Sequence, residues 1–587
     1  MNRTQRRAGK KATPAAGLRP AAAAQESPLA MVARAAEHHQ RGEVGSAVHL
    51  YKKALAADPA LSVAHERLAL ISLQQGKPAR AAAQYTVHAR SMPQTLTQFT
   101  RVLETLKILL PDLAAALAAR RGGTLAQLSA PPPSGAEGSI AANPYFRFVL
   151  ASTAMRDRAL EHWLTALRAE LLQAAIGRQP NNDEDVIAFC GALAQQCFIN
   201  EYVFSIGADE REPLAQLTAA VTGALAQGAP VPPLQLAALA MYTPLHTLPG
   251  AGAVAATAWP AAIDAVVTQQ VREPRQEQDL RATIPRLTEI GDGVTAEVRQ
   301  QYEENPYPRW ALMAQPPNPL MVLDDHIRYQ FPVTPFRPTG ARDSIDVLVA
   351  GCGTGRYALE FAQGFRGARV LGVDLSLSSL AHAKRKIPAA VAGAVEFAQG
   401  DILKLGSLER RFDLVSSTGV LHHMGDPLGG WRELIKLMKP DALMQVGLYS
   451  AHARQEIVAA RKLIAERGYA STPEGIRQCR QDLMAGPEQF KFMGLRDFFT
   501  VSECRDLMFH VHERQFTIPE IKDFLAANGL KFIGFEFSPQ DAHVHHRGVF
   551  ARAGWSTGDL DRWDAYERAN PDIFASMYSF WVQKINP

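Results

Sequence analysis

Two rhythms of apolar residues divide the chain. Between residues 31 and about 275 they recur at three- and four-residue intervals, as in Leu160, Trp163, Leu164, Leu167, Leu171 and Leu172, the stripe of an amphipathic helix. From Ile345 the pattern changes to short, mostly apolar runs (345–350, 369–373, 395–400 and 412–417), each followed within two residues by glycine or aspartate. Such runs, alternating with helical stretches, predict parallel strands covered on both faces. The expected fold class is therefore multidomain: an all-α N-terminal half followed by a C-terminal α/β, Rossmann-like domain.

Inside the helical half the chain repeats itself. Gly42, Ala47, Tyr51 and Pro59 recur 34 residues later as Gly76, Ala81, Tyr85 and Pro93. The small alanines let two helices approach closely, the tyrosines fill the groove between them, and the prolines stop each unit. This stretch resembles the tetratricopeptide-repeat family, whose period is 34. The resemblance implies repeats over residues 28–121, with the apolar run around Val102, Leu103, Leu106, Leu109 and Leu110 as a third layer or cap. It also implies a concave surface for a protein or peptide partner, or else a purely architectural arm. Gly123, Pro131 to Pro133, Ser134 and Gly135 mark a linker over 122–142. Residues 143–299 read as a further helical domain, with Cys190 and Cys197 on one helix face as core filling. Substrate recognition, dimerisation and scaffolding all remain open for it.

Composition narrows the classes. Of 587 residues, 47% are apolar and 20% charged, which excludes a disordered or collagen-like chain. Five scattered cysteines form no C-x-x-C pair, against a disulfide scaffold or a cysteine-rich zinc site. The net charge of +4 comes from the tail: the first 28 residues hold six basic side chains and one acid. The remainder is nearly neutral, so no nucleic acid is expected as partner. Nor is a membrane, because no apolar run is long enough to span one. Residues 1–27 lack the apolar core of a secretory signal. They read as a flexible basic tail or, alternatively, an organelle transit segment. A cytoplasmic location is expected, and the sequence sets no oligomeric state.

The chemistry concentrates after Ile345. The first strand runs into Gly351, Cys352, Gly353, Thr354 and Gly355, and a helix follows. Bare backbone in that turn lets a ligand press against the chain. The loop is G-x-G-x-G, without the third glycine of a dinucleotide fingerprint or a Walker lysine, so a ligand lacking pyrophosphate is favoured. A second strand ends at Asp374, placed for two ribose hydroxyls. A third ends at Asp401, beside Ile402, placed for an adenine amino group and ring. A fourth leads into Thr418, Gly419, Val420, Leu421, His422 and His423. These stretches, VLVAGCGTG, LGVDLS, FAQGD and FDLVSSTGVLHHMGDP, resemble the class I S-adenosylmethionine-dependent methyltransferases over about residues 340–450. The resemblance implies S-adenosylmethionine as cofactor. It places Gly351, Gly353, Gly355, Asp374, Leu375, Asp401, Ile402 and Thr418 around it.

Three features surround that core. Residues 300–340 hold Tyr302, Tyr307, Arg309 and Trp310 beside Pro306 and Pro308, outside any helix interior. They form a lid over the sulfonium or the acceptor, or an ordinary packed linker. His422 and His423 follow the fourth strand at the ligand-binding edge, as proton acceptors or packing groups. The methyltransferase domain is expected over 341–553, with a helical insertion at 452–515. There Asp506, His510 and Glu513 share one helix face, as a proton relay or a salt-linked surface. His422, His423 and His510 are thus the candidate catalytic groups, and no metal site is expected, His543, His545 and His546 included. The core is expected to close with a strand at 548–553. The aromatic segment 554–587 is expected to be helical and to dock on the helical half. The reading is a methyltransferase acting on a protein or peptide recruited by the repeats. A small-molecule methyltransferase and a non-catalytic scaffold are the alternatives.

Overall fold

The computed structural model describes residues 26–130, 139–177, 183–312, 320–341, 343–487, 490–537, 541, 543–550, 552–575 and 577–585. Most of the basic tail and the three linker prolines lie outside these residues.

Two helical hairpins open the described chain: Pro28–Gln40 with Val44–Ala57, and Ser62–Gln74 with Pro78–Ser91. Gly42 and Gly76 end the first helix of each in the left-handed region, at φ +77° and +68°. Ala47 and Ala81 are fully buried where the helices meet, as is Tyr51. The first hairpin and the start of the second enclose a small core of their own. From Ala69 onward the packing merges with the helices Pro144–Ser152, Arg158–Ile176, Glu184–Ile199, Ala208–Ala226 and Pro233–Ala240. Asn143, Asp157 and Asp183 cap three of these by accepting backbone N–H groups.

The same core takes in residues far along the chain. Ile457, Ile464, Ile476, Cys479, Leu483, Phe498 and Leu507 pack with the helical half. The stretch 452–515 thus packs with the helical body through its helices Gln455–Arg467, Pro473–Ala485 and Val501–Met508. Arg480 seals the junction. Its guanidinium donates to Glu161 at 3.1 and 3.0 Å, to the Phe498 carbonyl at 2.6 Å and to the Val203 carbonyl at 3.3 Å. Both ion-pair partners are buried, so each depends on the other.

The α/β domain is a seven-stranded sheet: β1 (Ile345–Ala350), β2 (Ala368–Asp374), β3 (Val395–Gln399), β4 (Phe412–Thr418), β5 (Met438–Tyr449), β6 (Leu530–Phe535) and β7 (Met577–Lys584). The order is β3-β2-β1-β4-β5-β7-β6. The first five strands are parallel, and β7 lies antiparallel between β5 and β6. Apolar cores cover both faces.

Two expectations fail at the C terminus. Residues 577–584 are a strand inside the sheet and not a helix on the helical half. Tyr578, Phe580 and Val582 enter one core and Trp581 the other, the alternation that a pleated, doubly covered strand needs. With β7 filling that place, 548–553 is not the closing strand, and His543–Phe550 coils as a π-helix. The Leu560–Ala569 helix does form, but it packs on the sheet domain through Leu560 and Trp563. No helix among the described residues is long and apolar enough to cross a membrane.

Candidate functional site

The chain leaves β1 toward β2 on one side, and β4 lies on the other, so a crevice opens at the carboxyl end of β1. The loop 351–355 lines it. Gly351 and Gly355 sit at φ +74° and +81°, in the left-handed region where a side chain is strained. A Cβ on Gly351 would stand 2.4 Å from the Val420 methyl carbons, and one on Gly353 2.7 Å from the Tyr307 carbonyl oxygen. Asp374, at the tip of β2, accepts the Gly353 amide at 2.8 Å and the Ser376 amide at 2.9 Å. Burial pushes its carboxyl up, and those two amides pull it back. Asp401, just beyond β3, accepts the Leu403 amide at 3.0 Å and the Gly291 amide at 3.2 Å. Gly351, Gly353, Asp374, Leu375, Asp401, Ile402 and Thr418 all line one cavity of about 1000 Å³. Gly355 makes the turn and faces Ala383, where its Cβ would come within 2.6 Å.

Residues upstream of the domain close this end. Pro285 and Leu287 exchange backbone hydrogen bonds with Gln399, at 2.9 and 2.8 Å, along the free edge of β3. Thr288 then accepts the Asp401 amide at 2.8 Å. The sequence pattern predicts a helical domain up to residue 299. No apolar pattern marks this strip, because a single bridge on a sheet edge needs only backbone groups.

The aromatic segment is a strap anchored at both ends. The helix Val294–Glu304 carries Tyr302 on its last turn, so Tyr302 is helical, contrary to expectation; Pro306 stops the helix only after it. Glu303 holds the start of helix Leu377–Lys386, accepting the Leu377 amide at 2.6 Å and the Ser378 hydroxyl at 2.6 Å. The Trp310 indole donates to the Thr354 carbonyl at 3.0 Å. Tyr302 and Tyr307 line the cavity. Arg309 turns away from it, with its guanidinium over the Phe198 ring and 3.9 Å from Glu201.

The far end of the cavity is assembled from distant segments. The Val501–Met508 helix stops before His510, so Asp506, His510 and Glu513 do not share a helix face as expected. Asp506 and His510 meet again through Tyr302, whose hydroxyl donates to Asp506 Oδ1 at 2.6 Å and lies 3.2 Å from His510 Nε2. Tyr449, at the end of β5, donates to Asp506 Oδ2 at 3.3 Å. Glu513 pairs instead with Arg454, at 2.9 and 2.7 Å, and that guanidinium lies 3.6 Å over the Tyr449 ring. His422 is buried against Tyr449, ring centroids 3.8 Å apart, and does not line the cavity. His423 does line it, and stacks on His510 at 3.6 Å.

Hydrogen bonds fix the tautomers. His423 Nδ1 faces the His512 carbonyl at 2.9 Å, so it carries the proton and leaves a lone pair on Nε2. That Nε2 has no partner among the described residues. His510 Nδ1 accepts the His512 amide at 3.1 Å, so its proton sits on Nε2 and points at Tyr302. Burial pushes all three histidines below their usual range, His422 and His510 furthest. His423, Asp506 and His510 bring ligand atoms within 4.8 Å of one another, a triad the sequence did not assemble. Hydrogen bonds join Asp506, Tyr302 and His510, while His423 only stacks on His510.

Comparison with known proteins agrees on the domain. Residues 347–441 match the model of a methyltransferase-domain family. A Synechococcus sp. protein described as uncharacterized is 26% identical over 266 residues, covering 42% of this chain and 60% of that protein. Cycloartenol-C-24-methyltransferase 1 of Oryza sativa subsp. japonica is 29% identical over 102 residues, covering 17% and 29%. The chain thus spans less than two thirds of either relative. Among solved structures, PKMT2 from Rickettsia typhi in complex with AdoHcy is 18% identical, with a TM-score of 0.35, covering 46% of this chain and 54% of that one.

Proposed function

We propose that this chain, whose residues 347–441 are a methyltransferase domain, is an S-adenosylmethionine-dependent methyltransferase. The observation that carries the reading is the joining of loop and acid: the Gly353 amide donates to Asp374 above a cavity that Asp401 bounds at its other side. Each Asp374 oxygen gives one acceptor site to an amide and keeps a lone pair for a ribose hydroxyl. Asp401 and Ile402 would receive the adenine. Gly351, Gly353 and Thr418 would border the methionine part. S-adenosylmethionine supplies an electrophilic methyl group on a good, neutral leaving group. The protein's own work is then alignment, exclusion of water and removal of an acceptor proton. Tyr302 and Tyr307 exclude water from above, and His423 Nε2 offers the lone pair that takes the proton.

The acceptor we propose is a protein or peptide brought by the N-terminal hairpins, read as tetratricopeptide repeats. Their support is the 34-residue recurrence, together with glycine turns and buried alanines at matching places. A small-molecule acceptor is the second reading, favoured by the depth of its wall: Asp506 and His423 are 5% and 3% exposed. We place the protein in the cytoplasm. Calorimetry with S-adenosylhomocysteine tests the enzyme reading. Labelled-methyl transfer into lysate, split into protein and small-molecule fractions, tests the acceptor. Binding without label in either fraction would leave a scaffold.

A further inference from the structure

Charge is unevenly balanced around the cavity. The arginines and lysine that line it are each paired: Arg356 with Glu360 at 2.9 Å, Arg454 with Glu513 at 2.7 Å, Lys491 with Asp572 at 2.8 Å and Arg496 with Glu503 at 2.5 Å. Asp497 and Asp506 line the same cavity without a direct ion pair among the described residues, although Arg496 and Arg454 act on Asp497 through space. Asp506 receives two neutral phenols, and the Asp497 carboxylate has no hydrogen-bond or ion-pair partner among the described residues. Burial pushes the Asp497 carboxyl up; the Arg496 guanidinium opposes this, and the nearby Asp506 adds to it. Beside them, His423 is 3% exposed and its Nε2 lone pair is unpartnered among the described residues. A buried acceptor atom without a donor is costly unless a ligand brings one. Tyr302 and Tyr307 add aromatic faces, which attract cations.

We propose that this wall recognises an amine acceptor, which enters as an alkylammonium between Asp497 and Asp506 against Tyr302 and Tyr307. The assignment rests on the methyltransferase reading and names its substrate class. The ammonium donates to the two carboxylates and gives one N–H proton to His423 Nε2. The freed nitrogen lone pair then forms an N–C bond to the methyl carbon as the C–S bond breaks, its electron pair staying on sulfur. The product leaves as a methylated ammonium. Asp506 stabilises the transient His423 imidazolium, and the proton then passes to solvent. A hydroxyl acceptor would bring no positive charge to the two carboxylates, and a carboxylate acceptor would add to their negative charge.

The test uses the full chain saturated with S-adenosylhomocysteine and titrated with n-butylammonium, n-butanol or butyrate. We expect butylammonium to bind at least tenfold tighter than either isostere. Asp506→Asn and, separately, Asp497→Asn should each weaken it about tenfold, while S-adenosylhomocysteine affinity stays within twofold and the melting temperature shows a folded protein. Equal affinity for amine and alcohol overturns the proposal, as does butylammonium binding that neither variant weakens. Heat with S-adenosylhomocysteine but none with the amine overturns the amine assignment alone. No heat with S-adenosylhomocysteine overturns the methyltransferase reading and the amine assignment with it.

Discussion

The two ends of the cavity are built in opposite ways. At the proposed cofactor end, Gly351, Gly353, Asp374 and Asp401 lie within about 50 residues and reach their places through strand–loop–helix units, each folding next to its sequence neighbours. At the proposed acceptor end, Tyr302, His423, Tyr449, Asp497 and Asp506 come from segments up to 204 residues apart, as in the Tyr302–Asp506 hydrogen bond. The first end needs a sheet; the second needs the sheet, the strap and the helical body docked together. Local construction concentrates function in single residues, whereas distributed construction makes it depend on how whole segments pack.

That contrast can be broken in four places. The largest effect should come from the junction that holds the distributed end. Arg480→Met leaves Glu161 buried without its partner and should cost about 3–5 kcal/mol, read by urea unfolding. A cost below about 1 kcal/mol would mean the helical body does not depend on this pair. At the local end, Asp374→Ala should weaken S-adenosylhomocysteine roughly 100-fold by calorimetry, on the order of 2.7 kcal/mol, with the fold intact. Binding unchanged by that variant would remove the acid from the site.

The third test separates the ends by pH. His422, His423 and His510 are buried with their protonation pushed below its ordinary 6.5. Below pH 6.5 the unfolded chain therefore binds protons that the folded chain refuses. Stability is full above about pH 6.5 and falls as the pH drops, by up to ~1.4 kcal/mol per pH unit for each histidine. The raised carboxyl of Asp374 acts in the other direction: its contribution is present at low pH and lost as pH rises through the folded value. Denaturation between pH 8 and 5 should show the histidine slope, and His510→Gln should flatten it. An equal slope in that variant would remove His510 from the effect. The smallest effect is expected for Tyr302→Phe. It takes one donor from Asp506 but leaves Tyr449, so about 1 kcal/mol should be lost, seen in a chain of this size as a melting shift of about 1 °C.

The same contrast explains what the sequence disclosed. Gly351, Asp374 and Asp401 were readable because turn geometry and strand ends constrain residue type at fixed spacing. Thr288 and Gly291 were not, since they act on Asp401 through a hydroxyl and a main-chain amide that many residue types would permit. Asp506 and His510 were noticed for the wrong reason, a common helix face. They meet through Tyr302, which no spacing rule links to them. The strand Met577–Lys584 was misread because aromatic density alone does not separate a helix from a doubly covered strand, and its partner β5 lies more than 120 residues earlier. Tyr449 and Arg454 carried no local signal, and Glu513, grouped with Asp506 on that expected face, pairs instead with Arg454.

The excursion between β5 and β6 has a practical consequence for anyone who would dissect the protein. The polypeptide departs the sheet after Tyr449, lends Ile457, Cys479, Phe498 and Leu507 to the other lobe, and returns before Leu530. A fragment beginning near residue 341 would strip these side chains of their counterparts and bare a greasy face ending in the stranded charge of Arg480. Such a truncation should clump rather than serve as a minimal enzyme, and the two lobes are best expressed as one indivisible translation product.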